Sequence, residues 1–159
     1  MKKLMIIAVM LVMAGCATTY KPPTTVAAET SQEIVASQAD ILRVAKQVLV
    51  EEGFQITNAD DSAGVISTAL RDFHINPEQA DCGTTMGIDY LKDNRTSSKL
   101  GYGILASDGK LIVKANIESA YKPGAVTQDI TLTCASRGTL EPALLAKITA
   151  AIRNRRGTK

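Results

Sequence analysis

The sequence predicts an α+β fold, a two-layer sandwich in which two helices cover one face of a mostly antiparallel sheet. Two segments, near residues 41–49 and 144–152, place apolar residues at helical spacing. Residues 100–134 instead alternate apolar and polar side chains, and two short turns divide them, which is typical of an antiparallel meander. A shorter pair of strands between residues 54 and 70 completes the predicted sheet.

Residues 1–16 have the pattern of an export signal. Two lysines precede an apolar run at residues 4–12, which is shorter than the roughly 20 residues that a bilayer-spanning helix needs. The run leads into Met13-Ala14-Gly15-Cys16, which resembles the lipobox of bacterial lipoproteins. The resemblance implies that residues 1–15 are a signal peptide, and that Cys16 receives fatty-acyl chains such as palmitate, which anchor the protein to a membrane. An ordinary signal peptide followed by an unmodified cysteine is the alternative.

The residues after Cys16 bear on location. In lipoproteins of enteric bacteria an Asp at the next position retains the protein in the inner membrane, so Ala17 implies the outer membrane. We expect the body to face the periplasm. Residues 16–32 lack an apolar period and contain Pro22-Pro23, which favours extended chain. They predict a flexible tether.

The folded domain is expected to span residues 33–156. It begins with a short strand at residues 34–35 and continues into a helix that Ser37 or Asp40 caps. Gly53 ends this helix, because glycine readily adopts the left-handed backbone conformation. The apolar face of the helix consists of Ile41, Val44, Ala45, Val48 and Leu49.

A β-hairpin and a long loop follow. Residues 54–57 and 65–70 have strand patterns and flank turn-forming residues at 58–64. Residues 72–98 have scattered apolar positions interrupted by Pro and Gly, which predicts a loop with a short strand near residues 86–90. A loop of this length is usually functional or otherwise restrained.

The strongest strand signal is the meander at residues 100–107, 111–118 and 126–134. Asp108-Gly109 suits a two-residue hairpin turn of type I′, and residues 121–124 form the second turn. A final helix is predicted at residues 139–154. Its apolar stripe consists of Leu144, Leu145, Ile148, Ala151 and Ile152.

Cys82 and Cys134 remain as a pair once Cys16 is set aside. Thiols of an exported protein usually join, because the compartment is oxidising, so we expect a disulfide that stabilises the fold by about 3–4 kcal/mol. The strand period places Cys134 with Ile130 and Leu132 on the face that is expected to contact the core. Two free thiols or a metal site are the alternatives, although His74 is the only histidine.

Composition argues against several functions. The formal net charge is +2, aromatic residues make up 4% of the chain, and tryptophan is absent, so neither a nucleic-acid binder nor a stacking platform is indicated. His74 has no candidate nucleophile beside it. Asp60-Asp61 belongs to a turn rather than to a calcium loop, and Gly101-Tyr102-Gly103 lacks the spacing of a phosphate-binding loop. We therefore expect no enzyme activity, no cofactor and no metal.

A basic cluster closes the chain. Its members are Arg153, Arg155, Arg156 and Lys159. We expect a solvated helix end, because cations are favoured near the carboxyl end of a helix. Contact with the phosphates of lipid or the acidic groups of peptidoglycan is the alternative.

Two further stretches resemble known domains. The Glu-Glu-Gly-Phe helix end at residues 51–54 and the turn and strand at residues 60–66 are similar to helix-grip domains of small bacterial envelope lipoproteins, as in the third lipoprotein of the β-barrel assembly machine. Residues 134–141 resemble the strand-to-helix junction of uncharacterised lipoproteins of this kind. The resemblance provides no catalytic residues.

We therefore expect a docking or scaffolding module for an envelope protein or complex. It would bind its partner through the loop at residues 72–98 or through an open sheet edge. The alternative is a module that holds a small apolar ligand between the sheet and a helix. Gly101 and Gly103 would then allow the sheet to curve.

Overall fold

The structure, a computed structural model, describes residues 20–124 and 129–157, so the predicted export signal and Cys16 lie outside it. Two helices, α1 at Gln38–Glu51 and α2 at Leu140–Gly157, pack together on one face of a large antiparallel sheet. This arrangement confirms the predicted α+β fold. Within the described residues, no helix is both long enough and apolar enough to cross a membrane.

The strands form a large and a small sheet. In chain order they are β1 (Tyr20–Lys21), β2 (Glu29–Glu33), β3 (Ile56–Asp60), β4 (Val65–Thr68), β5 (Arg71–Asp72), β6 (Ala80–Asp81), β7 (Thr84–Thr85), β8 (Ile88–Asp89), β9 (Thr96–Ser107), β10 (Lys110–Tyr121) and β11 (Ile130–Ser136). The large sheet has the order β3-β4-β9-β10-β11-β6, with β2 also paired to β10 and β5 to β9. The small sheet has the order β1-β7-β8, and a 3-10 helix at Tyr90–Lys92 follows it.

The hairpin of β9 and β10 is the centre of the large sheet. Both strands have 12 residues and pair along their whole length, from the predicted Asp108-Gly109 turn to Thr96 opposite Tyr121. Two strands share each outer edge of this hairpin. β4 and β5 pair with β9, whereas β2 and β11 pair with β10.

Alternate side chains of the hairpin face the helices and form one core with them. Leu100, Ile104, Leu111 and Val113 are at most 1% exposed. The helices contribute Ile41, Leu42, Val44, Ala45, Val48, Leu49, Leu140, Leu144, Leu145, Ile148 and Ile152 to the same core. The apolar stripes predicted for both helices thus contact the sheet, except that Ala151 is only partly buried.

Both ends of α1 match the prediction. The Ser37 hydroxyl accepts a hydrogen bond from the Asp40 N–H at 3.2 Å and caps the start of the helix. Gly53 follows the last turn with a φ of +79°, a conformation that costs little only for glycine.

The described part of the predicted tether belongs to the folded domain. β1 pairs with β7, and β2 pairs with Lys110–Lys114 of β10. The expectation of a flexible tether is therefore wrong for residues 20–32. The first strand of the large sheet also lies before, rather than at, residues 34–35, and Val35 is 84% exposed.

Short strand pairings divide the predicted long loop at residues 72–98. Within residues 72–98 lie β6, β7, β8 and the 3-10 helix, and β8 corresponds to the strand predicted near residues 86–90.

The last strand of the predicted meander ends later than expected. β11 extends to Ser136 instead of ending at Cys134. The beginning predicted for that strand, at residues 126–128, lies outside the described residues.

A buried glutamate fills a gap at the outer edge of β10. β2 pairs with β10 as far as Lys114, and β11 pairs with it from Ile117 onwards. In the gap, Glu141 Oε1 accepts a hydrogen bond from the Ala115 N–H at 3.2 Å, and Oε2 accepts one from the Ser136 hydroxyl at 2.8 Å. Glu141 is fully buried and thereby joins α2 to both strands.

Replacing Glu141 with Leu is expected to lower the free energy of unfolding by about 2–4 kcal/mol, because a buried N–H and a buried hydroxyl lose their acceptor. Urea unfolding followed by circular dichroism measures this change. Glu118→Leu, at an exposed position of β10, is the control and should change stability by less than about 0.5 kcal/mol. Equal losses in both variants would contradict the role of Glu141.

Candidate functional site

A groove of about 630 Å³ runs along β11. Residues 20–27, which we call the N-terminal segment, form one wall of the groove, and β11 forms the other. None of the described residues that line it carries a charge. They are Tyr20, Pro22, Pro23, Thr25, Ala27, Tyr90, Ile130, Thr131, Leu132, Thr133, Cys134 and Ala135.

The wall formed by β11 has an open backbone edge. β10 pairs with Ile130–Cys134 on one side, and β6 pairs on the other side only with Ala135–Ser136. The Arg137 N–H donates to Gln79 O on the β6 side at 2.9 Å. Because strand residues alternate in direction, the backbone groups of Thr131 and Thr133 face that same side. No strand of the described residues pairs with them there.

The N-terminal segment passes beside this edge without closing it. Pro22 and Pro23 have no N–H and therefore cannot donate to the carbonyl groups of β11. Prolines of this kind commonly keep a neighbouring segment from pairing with an edge strand. The groove between the segment and β11 therefore remains.

Asp81 holds the N-terminal segment in place. Its Oδ2 accepts hydrogen bonds from the N–H groups of Thr24 and Thr25 at 3.2 and 3.3 Å, and from the Thr25 hydroxyl at 2.9 Å. Its Oδ1 accepts one from the Gly83 N–H at 3.0 Å. Arg137 donates to Thr25 Oγ1 at 3.2 Å and lies 3.7 Å from Asp81 Oδ2. Asp81 thus connects the segment to the end of β11.

The hydrogen bonds to Asp81 set its protonation. Burial raises the pKa of Asp81, but the donors on Gly83, Thr25 and Thr24 together lower the pKa by more, so it lies below its ordinary value of 3.8. A depressed pKa in the folded state means that the ionised carboxylate stabilises the fold. This stabilisation is complete above the ordinary pKa and is lost as the pH falls through the lowered one.

A disulfide joins Cys82 and Cys134, as the cysteine count predicts. The Ser119 hydroxyl, from the buried face of β10, lies 3.2 Å from Cys134 Sγ and 3.5 Å from Cys82 Sγ. The disulfide therefore attaches the segment after β6 to the strand that lines the groove. Ile130, expected on the core face, is 43% exposed because it lies at the beginning of β11 and lines the groove.

A second cavity of about 280 Å³ adjoins the groove and shares Tyr90 and Ile130 with it. Tyr90 and Tyr121 contact edge to face with their centroids 5.0 Å apart. The Arg95 guanidinium lies 5.0 Å from the centroid of Tyr121. A hydrogen bond from the Arg95 side chain lowers the pKa of Asp93 to about 2. Tyr90, which both cavities share, thus packs against Tyr121 of the second cavity.

The structure does not bring the other candidate residues into this groove. His74 is exposed beyond β5. Asp60 accepts hydrogen bonds from the Ser62 hydroxyl at 2.6 Å and from the N–H groups of Ala63 and Ser62 at 2.9 Å each. These bonds lower the pKa of Asp60 and identify it as a turn residue. Gly101 lets the β4–β5 connection approach, since a Cβ there would lie 3.2 Å from Ala69 O.

The described members of the basic cluster lie at the end of α2. Arg153, Arg155 and Arg156 are exposed, and Arg155 donates to the Gln47 side chain of α1. Lys159 lies outside the described residues. Within the part of the chain that the structure describes, no three His, Cys, Asp or Glu side chains are grouped as a metal site.

The sequence alone did not identify the residues that build the groove. Tyr20 and Thr25 lie in a segment without an apolar period, and Asp81 lies in the predicted loop. The only available signal was the position of Asp81 next to Cys82, because the predicted disulfide already placed that residue near β11. The partners of Asp81 in the N-terminal segment, Thr24 and Thr25, are 57 and 56 residues away along the chain.

Replacing Asp81 with Asn is expected to destabilise the protein by about 1–3 kcal/mol at pH 7, because hydrogen bonds to a charged acceptor are lost. The difference from wild type should shrink as the pH falls below 3.8, where the wild-type carboxylate also becomes protonated. Unfolding by urea at a series of pH values measures both effects. Asp129→Asn, at an exposed position, is the control and should leave the pH profile unchanged. A difference that stays constant with pH would contradict this role.

The chain matches no known family profile and no curated protein. Among solved structures, it is similar to a TBP-like protein from Parabacteroides distasonis, with 14% identity, a TM-score of 0.49, and 80% and 92% of the two chains covered. It is also similar to a DUF4468 family protein from Bacteroides ovatus, with 15% identity and a TM-score of 0.44. That second match covers 65% of this chain and spans 58% of the length of the other. At these values neither likeness supports an inference about function.

Proposed function

We propose that this protein is a lipid-anchored, non-enzymatic envelope protein that docks an extended segment of another envelope protein. The binding site is the groove between β11 and the N-terminal segment. The observation that supports the proposal is the open edge of β11 beside a groove with uncharged walls.

An extended segment fits this site because it satisfies the unpaired backbone groups. Thr131 and Thr133 together offer two N–H donors and two carbonyl acceptors along one side of β11. A strand added there contributes main-chain hydrogen bonds, while the groove receives every second side chain.

The walls of the groove indicate the chemistry of the docked segment. Burying a charge among side chains such as Tyr20, Ile130 and Leu132 is costly, since none of the described lining residues offers an opposite charge. Small apolar and β-branched residues suit both the groove and strand geometry. The partner therefore presents an uncharged segment rich in Val, Ile, Thr or Ala.

The lipid anchor rests on Cys16, which precedes the described part of the chain. Only residues 17–19 separate it from Tyr20. Acyl chains on Cys16 would hold the domain at the outer membrane, and two or more chains are needed for durable anchoring.

A small apolar ligand between the sheet and the helices is less favoured. Ile41, Leu49, Ile66, Ile104 and Ile148 are at most 1% exposed and fill that space. A ligand there would have to displace them, whereas the groove along β11 is already open.

The docking proposal is tested by photo-crosslinking in intact cells. A photoreactive residue at position 131 is expected to form an adduct with an extended segment of one envelope protein. Thr133→Pro should abolish this adduct, because it removes an N–H from the open edge, whereas Thr133→Val retains the N–H and should preserve it. An adduct that persists in Thr133→Pro would argue against strand addition.

The anchor is tested separately with Cys16→Ser. We expect the wild-type protein in the membrane fraction and the variant in the soluble fraction, since the variant has no acylated thiol. Mass spectrometry of the wild-type protein should find an acylated cysteine at the mature N-terminus. An unmodified N-terminus would contradict the proposal.

A further inference from the structure

We propose that the small sheet β1-β7-β8 is a second binding site, for the bilayer surface, and that the turn between β7 and β8 inserts into it. This inference rests on the lipid anchor proposed above. It concerns the end of the small sheet that carries Met86 and Ile88, which line the second cavity beside the groove. Tyr20 lies at this end and also forms part of the groove wall.

The topology brings the anchor and this turn together. β1 runs antiparallel to β7, with Tyr20 opposite Thr85 and Lys21 opposite Thr84. The chain therefore enters β1 at the end of the small sheet where the turn at residues 86–87 lies. Cys16 is four residues before Tyr20, and extended chain spans at most about 3.5 Å per residue, so the anchor lies within roughly 14 Å of that end.

Three apolar or aromatic side chains are exposed together at this end. Met86 is 79% exposed, Ile88 is 60% exposed and Tyr20 is 46% exposed. Met86 also has a φ of +49°, whereas turn positions with positive φ usually hold Gly or Asn. The fold thus keeps a methionine at the tip of a tight turn, where it gains no burial within the described chain.

Insertion into a bilayer would account for the exposed side chains and for a methionine at the tip of the turn. Flexible apolar side chains such as Met suit the boundary between headgroups and acyl chains, and Tyr is favoured at that depth. Lys21 is exposed on the same sheet and can contact lipid phosphates. The carboxylate of Asp89 in β8 caps the 3-10 helix, where it accepts a hydrogen bond from the Leu91 N–H at 2.9 Å.

The small sheet is attached to the domain through Cys82, two residues before β7, whose disulfide with Cys134 joins it to β11. Gly83 allows close contact with β1, because a Cβ at this position would lie 2.3 Å from Lys21 O. The ring of Tyr20 lies 6.0 Å from that of Tyr90, measured between centroids. Insertion of the turn would therefore fix the direction in which the groove faces.

The absence of tryptophan from the chain provides a direct test. Met86→Trp, in the full-length acylated protein, is reconstituted into vesicles of phosphatidylethanolamine and phosphatidylglycerol that contain brominated lipid. We expect the emission of this single tryptophan to shift to the blue and to lose most of its intensity through quenching. Ile88→Trp is a second reporter, in case substitution of Met86 disturbs the turn.

Leu105→Trp is the matched control. Leu105 is apolar and 46% exposed, and it lies nine residues from Thr96 along β9, which is roughly 30 Å in a strand. Thr96 itself contacts the 3-10 helix through a hydrogen bond of 2.6 Å to Tyr90 O, so Leu105 is far from the small sheet. Its tryptophan should remain unquenched.

The outcomes separate this inference from the anchor. If the protein stays on the vesicles while the tryptophans at positions 86 and 88 are not quenched, the anchor holds and the inserted turn is refuted. If those tryptophans are blue-shifted without lipid, a second copy or another protein covers the patch, and the inference is also refuted. If the wild-type protein does not stay on the vesicles, the anchor fails and this inference fails with it.

Discussion

The pairing of β9 with β10 determines where the other strands of the large sheet lie. Every backbone group along two strands of 12 residues needs a partner, and the strands satisfy each other only on their shared side. The outer edges must be covered by other elements. Four short strands provide this cover, two on each edge. Where β2 and β11 fail to meet, Glu141 supplies the missing acceptor.

Because β11 is itself covered only in part, the groove beside it remains open. β11 covers part of β10 and so acquires an outer edge of its own, of which β6 covers only the last two residues. The N-terminal segment lies beside the remainder but contains Pro22-Pro23, and Asp81 and Gly83 determine how closely it approaches. The groove therefore results from three features: the contacts of Asp81, the two prolines and the part of β11 that β6 does not cover. Within the described residues, no strand pairs with this edge of β11 beyond Ala135–Ser136, and the docking proposal rests on that edge.

Elements that bury a periodic apolar face were predictable from the sequence. Both helices, the Asp108-Gly109 turn and the meander follow from such periods, and the cysteine pair follows from a count. β2 was missed because its sequence, Glu-Thr-Ser-Gln-Glu, has no apolar alternation and is held by backbone pairing with β10. Glu141 was missed because an acidic residue in the first helical turn usually faces solvent. The role of Asp81 was missed because Thr24 and Thr25, the residues of the N-terminal segment that it binds, lie more than 50 positions away along the chain.

The route of the N-terminal segment has a mechanical consequence. Tension applied at Tyr20 would first act on the two residue pairs between β1 and β7, then on the contacts of Thr24 and Thr25, and then on β2. Each is a peripheral attachment, and edge segments open at lower free energy than a central hairpin. The disulfide, by contrast, ties the neighbourhood of β7 covalently to β11. A pull through the proposed lipid anchor would thus separate the segment from β11, while the helices and the β9–β10 hairpin stay intact.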